Sequence, residues 1–134
     1  MFRHQTFRLC AGSFLFLALC QGGNLLLNPP LVCNEGIGFG INIPIFILVP
    51  LIALALTIAG FFIWKVLTST PTPSPLASFG SALLTGGALS NIIDRLIRGC
   101  VPDYFALGWF PAFNTADIGI SIGTTLLLIA ILRK

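Results

Sequence analysis

Asp103, in Val101-Pro102-Asp103-Tyr104, and Asp117, in Phe113-Asn114-Thr115-Ala116-Asp117, stand where an apolar chain tolerates acids least, the second at the start of a long apolar run. Only 4 acidic residues occur in 134. An ionised carboxylate within a bilayer costs at least ~2.5–3.5 kcal/mol on insertion scales, so such residues persist chiefly where they do work. Two carboxylates held together can share a proton, because each like charge raises the other's pKa. One then stays ionised while its partner stays protonated, which is what acid/base activation of a water requires.

The elements that position these acids follow from composition. Hydrophobic residues make up 56% of the chain, charged residues 8%, and the mean hydropathy is +0.99. These values exclude an ordinary soluble domain and describe an integral membrane protein. A span needs ~20 apolar residues to cross a hydrocarbon core of ~30 Å. Runs at roughly Phe7–Leu27, Ile43–Leu67, Leu76–Ile97 and Asn114–Leu132 supply them. The predicted fold is an all-α membrane protein of four transmembrane helices in a single domain, residues 1–134. A small extracytoplasmic loop region has room for short β structure. Pro44 and Pro50 lie near the start of the second run, where a missing N–H costs least or kinks the helix. The proline-rich 68–75 stretch reads as an extended linker between helices two and three.

Basic residues favour the cytoplasmic side. Arg3 and Arg8 precede the first run, Lys65 ends the second, and Arg133 and Lys134 follow the fourth, so both termini are expected in the cytoplasm. Arg95 and Arg98 fall on the opposite side, beside Asp94 and Asp103. The net charge of +3 is on this reading a topology signal, and nothing suggests nucleic-acid binding. Leu17-Ala18-Leu19-Cys20 has some likeness to the end of a lipoprotein signal peptide. Leu19 is too large for such a processing site and the apolar run continues to Leu27, so a retained helix is expected.

Cys10, Cys20, Cys33 and Cys100 form no C-x-x-C pair, and His4 is isolated, so no metal site is indicated. Cys33 and Cys100 both fall on the outer side, where a bridge is permitted, but sequence leaves open whether they meet. Ala77, Ser81 and Thr85 recur at helical spacing before Gly86 and Gly87, a small-residue face on which helices approach closely.

Three segments follow in order: Gly86-Gly87-Ala88-Leu89-Ser90-Asn91-Ile92-Ile93-Asp94-Arg95, Gly99-Cys100-Val101-Pro102-Asp103-Tyr104 and Pro111-Ala112-Phe113-Asn114-Thr115-Ala116-Asp117. Together with Asn34-Glu35-Gly36-Ile37-Gly38-Phe39-Gly40 upstream, they resemble signal peptidase II, a bacterial intramembrane aspartic protease family. The resemblance implies cleavage of prolipoproteins before a diacylglyceryl-modified cysteine, by two aspartates, with no metal or cofactor. It implies Asp103 and Asp117 as the catalytic pair, with Asn34, Gly36, Asn91, Arg95 and Asn114 in supporting positions. Asp94 falls on a family carboxylate that reads as structural, four residues before Arg98 on one helical face. The implied setting is the bacterial cytoplasmic (inner) membrane with the site toward the outer face. The expected partners are the lipid-modified substrate and membrane lipids, and a monomer suffices.

The chain departs from the family pattern in its first helix. An aspartate followed closely by a lysine is usual there, whereas this sequence reads Cys20-Gln21-Gly22-Gly23-Asn24, leaving Gln21 and Asn24 as possible hydrogen-bonding substitutes. Ser90 stands for a glycine, Ile37 and Gly38 for alanines, and the Asp103–Asp117 loop is a few residues short. A reading from another class is a family-derived, non-catalytic membrane protein whose acids bind protons.

Overall fold

The computed structural model describes residues 2–27, 30–36, 41, 43–68 and 74–133. Among them are four long helices: α1 (Phe2–Leu26), α2 (Ile45–Thr68), α3 (Pro75–Arg98) and α4 (Thr115–Leu132). Each contains a stretch long and apolar enough to cross a membrane: Phe7–Leu26, Phe46–Lys65, Pro75–Arg98 and Thr115–Leu132. The four expected spans are therefore present, and the chain is a multi-pass membrane protein. α1 starts before its apolar run does, since a helix can continue beyond the hydrocarbon. α2 runs through Pro50 without ending. Most of the proline-rich linker, and residues 37–40 of the Asn34 motif, lie outside the described residues. The linker's last residue, Ser74, caps α3 by accepting from the Ala77 N–H at 3.1 Å, with Pro75 opening the helix.

α3 is the central helix, packed on α1 along one face and on α4 along the other. Apart from Asp94, its buried positions are small: Ala77, Gly80, Ser81, Ala82, Gly86, Gly87 and Ser90. Without a hydrophobic force between helices in lipid, close backbone approach is what favours their association. A Cβ on Gly86 would stand 2.7 Å from the Ser13 carbonyl of α1, and one on Gly87 would stand 2.6 Å from the Ala116 carbonyl of α4. The small-residue face expected from sequence is thus two faces. The large apolar side chains that remain exposed, among them Phe46, Trp64 and Leu128, suit a lipid-facing surface.

Gly87 lies one turn from Asn91, and its contact on α4 lies beside Asp117. Gly87→Ala must push two backbones apart, because a carbonyl cannot rotate away as a flexible side chain would. We expect a loss of about 1–3 kcal/mol, read as a lower midpoint of thermal unfolding in detergent.

α3 ends at Gly99, whose φ of 78° is the left-handed cap that glycine adopts without penalty. The chain then forms β2 (Val101–Asp103), paired antiparallel with β1 (Val32–Asn34) so that Cys33 faces Pro102 and Val32 faces Asp103. β3 (Phe105–Leu107) and β4 (Phe110–Phe113) form a second antiparallel pair leading into α4. The Tyr104 N–H donates to the Phe113 carbonyl at 3.1 Å and closes the base of this hairpin. The short Asp103–Asp117 loop therefore doubles back as strand structure. Residues 104–113 carry no charge, and Trp109 at the turn is 93% exposed, features suited to a membrane–water interface.

Candidate active site

Asp103 ends β2 and is 1% exposed. Asp117 is the third residue of α4, which begins two residues after β4 ends. The chain enters α4 through a capping box: Asn114 Oδ1 accepts from the Asp117 N–H at 3.0 Å, and Asp117 Oδ2 accepts from the Asn114 N–H at 3.2 Å. Asn114 has a second duty, its Nδ2 donating to Asp103 Oδ1 at 3.0 Å and to Asn91 Oδ1 at 3.2 Å. One buried amide thus joins both aspartates. Asn91 Nδ2 donates to Asp117 Oδ1 at 2.8 Å, and Asn34 Nδ2 donates to Asp103 Oδ2 at 3.2 Å. Each carboxylate accepts two hydrogen bonds.

Arg95, one turn after Asn91 on α3, anchors the upstream loop. Its Nη2 donates to the Gly36 carbonyl at 2.7 Å, and the Gly36 N–H donates to Asn34 Oδ1 at 3.0 Å. The guanidinium also lies within electrostatic reach of both aspartates. Burial pushes the Asp103 carboxyl above the usual carboxylate range, and the nearby Asp117 charge adds to that shift. The Asn34 and Asn114 amides and Arg95 oppose it without cancelling it. The acids open onto a cleft of about 840 Å³ between α2, α3 and α4, with Ile52, Ala55, Ile92 and Phe113 in its apolar walls. A paired carboxyl site next to an apolar cleft of this size can hold an extended peptide and activate a water beside it.

The family model described as Signal peptidase (SPase) II matches residues 14–133. The chain belongs to the signal peptidase II family. A lipoprotein signal peptidase of Syntrophomonas wolfei is 39% identical over 119 residues, covering 86% of this chain and 72% of the relative. One of Pelotomaculum thermopropionicum is 33% identical over 126 residues, covering 87% and 78%. The fold agrees with a bacterial membrane enzyme solved by the in meso method at 2.3 Å, with a TM-score of 0.74 at 20% identity over 93% of this chain and 87% of that one.

Of the residues that the signal peptidase II resemblance pointed to, Asn34, Gly36, Asn91, Arg95, Asp103, Asn114 and Asp117 come together in one hydrogen-bonded network. Asp94 does not line the cleft. It is 1% exposed at the α1–α3 interface, where Oδ2 accepts from Asn24 Nδ2 at 2.8 Å and Oδ1 faces Arg98 Nε at 3.4 Å. Gln21, one turn earlier on α1, donates to Ser90 Oγ at 3.0 Å. Both first-helix amides thus bond to α3, and the cation beside Asp94 is Arg98 on α3 itself.

Sequence reasoning missed Tyr104, whose hydroxyl donates to the Asn24 carbonyl at 2.8 Å and ties the residue after Asp103 to α1. Its position beside a candidate acid was the available signal. The pairing of Cys33 with Cys100, left open by sequence, is a disulfide here with a Cα–Cα distance of 5.5 Å, inside the range a bridge spans.

Proposed function

We propose that this protein is an aspartic endopeptidase that removes the signal peptide from diacylglyceryl-cysteine prolipoproteins, with Asp103 and Asp117 as the catalytic pair. The observation that carries the reading is that Asn114 holds both carboxyls beside one apolar cleft, Asp103 through its side-chain amide and Asp117 through its backbone N–H. Its relatives' name, lipoprotein signal peptidase, supports the substrate class. Asp117 sits at a helix N-terminus, where the dipole favours negative charge, and takes the proton of the attacking water. Asp103 is the protonated partner. It donates to the scissile carbonyl oxygen as the tetrahedral gem-diol forms; as the C–N bond breaks, the proton that Asp117 has gained passes to the leaving amine and Asp103 takes a proton back from a diol hydroxyl, which leaves the carboxylic acid product and restores the pair. Arg95 Nε, buried and without a hydrogen-bond partner among the described residues, is a donor that a substrate carbonyl would satisfy.

The site faces the outer side of the bacterial inner membrane in this reading, with both termini cytoplasmic. The disulfide supports that orientation, since such bridges persist in oxidising compartments. So do Arg8, Lys65 and Arg133 near the opposite ends of the spans. One chain supplies every side chain of the network, so a monomer is sufficient.

Purified protein in detergent, incubated with a diacylglyceryl-modified prolipoprotein, should convert it to the shorter form on a gel. An unchanged substrate in the presence of well-folded protein would sink the reading. The pH dependence has a definite sign. A raised Asp103 pKa keeps the general acid protonated above the usual carboxylate range. kcat should therefore fall as pH rises through that value, giving an alkaline limb that a pH–rate profile reads directly.

A further inference from the structure

We propose that the Cys33–Cys100 disulfide is a positioning element of the active site, locking the β1–β2 register that puts Asn34 against Asp103. The inference rests on the proteolytic reading for its effect on rate, but its structural content stands apart from it. β1 is three residues long and among the described residues pairs only with β2, itself three residues. A ribbon so short is marginal by itself, and its register is weakly specified. Register nevertheless decides the site. Successive strand side chains point to opposite faces, so a slip of one residue would turn Asn34 away from Asp103.

In the observed register Asn34 faces Val101, and its amide reaches diagonally to Asp103 Oδ2 at 3.2 Å. Cys33, the adjacent residue, points to the other face and is bridged to Cys100, which follows the Gly99 cap of α3. The covalent tie therefore occupies one face of the ribbon while the hydrogen bond to the aspartate occupies the other. The same short segment carries a second link: Gly36 accepts from Arg95 Nη2 at 2.7 Å and donates to Asn34 Oδ1. Both links fail together if the segment shifts. Cys33 is exposed whereas Cys100 is buried, so reductant would approach the bridge from the Cys33 side.

The test is reduction of the wild-type protein in detergent by a phosphine, with alkylation and peptide masses verifying that Cys33 and Cys100 are both free. Hydrogen–deuterium exchange and cleavage kinetics are then compared before and after. Exchange of residues 31–36 should quicken while the core of α3 and α4 stays protected. kcat should fall about tenfold with KM within twofold, as expected of a misplaced catalytic contact, and reoxidation should restore it. A Cys33→Ser/Cys100→Ser variant should match the reduced protein and ignore reductant. Unchanged exchange at 31–36, or unchanged kcat in verified reduced protein, would overturn the proposal. So would faster exchange throughout the bundle, because the bridge would then merely stabilise the fold. If oxidised protein cleaves nothing, the proteolytic reading fails alone and the exchange pattern still decides the brace.

Discussion

Asp103→Asn and Asp117→Asn are each expected to lower kcat by about 10³-fold or more, within the range for removing a positioned acid or base. Both substitutions keep the shape of the side chain and remove its capacity to exchange a proton. They also turn one acceptor into a donor, and the site has no room for that donor to be neutral. At Asp117 both oxygens accept, from Asn91 Nδ2 and from the Asn114 N–H, so an amide must point NH₂ at one of these donors. At Asp103 the donors are Asn114 and Asn34 amides. Neither can simply flip, since each already uses its oxygen to accept a backbone N–H, from Asp117 and from Gly36. Each variant should therefore lose about 1–3 kcal/mol of stability as well. Single-turnover cleavage measured well below the unfolding midpoint separates the two effects. Near-wild-type turnover by either folded variant would remove that residue from the chemistry.

The legible part of this protein was the part governed by one-dimensional rules. Four spans follow from run length, because a bilayer imposes a minimum on each, and the four observed helices fall on the expected runs with ends that differ by a few residues. Asp103 and Asp117 stood out because acids are so costly in such a chain. What sequence left open was pairing across the fold. The contact of Asn24 with Asp94 joins residues 70 positions apart, and the Cys33–Cys100 bridge spans 67. Whether such residues meet depends on how α1 and β1 dock on α3, which no local pattern encodes. The missing first-helix charges illustrate the point: the cation beside Asp94 comes from Arg98 on the same helix, and i,i+4 spacing did mark that pair in advance. The hairpin that returns the chain from Asp103 to Asp117 was harder to see, as its strands are only three and four residues long and carry almost continuous apolar sequence.

Asn114 is the residue at which folding and chemistry are hardest to separate, and a pair of substitutions separates them. Asn114→Ala removes the α4 cap, a loss of about 0.5–2 kcal/mol. It also leaves Asp103 Oδ1 and Asn91 Oδ1 without their donor. The backbone N–H that holds Asp117 Oδ2 remains, but with the Asp103 carboxyl no longer tied to the start of α4 through the amide, kcat should fall about 10²-fold, the scale of a 1 Å displacement in a catalytic site. Asn114→Ser retains an oxygen able to accept the Asp117 N–H, so the cap and the unfolding midpoint should stay close to wild type. Serine is too short to reproduce the Nδ2 contacts with Asp103 and Asn91 at once, so its kcat should remain low. If Asn114 acted only as a helix cap, serine would restore turnover along with stability. Unfolding midpoint and kcat measured on the same preparations would therefore show whether the amide aligns the aspartates or only starts the helix.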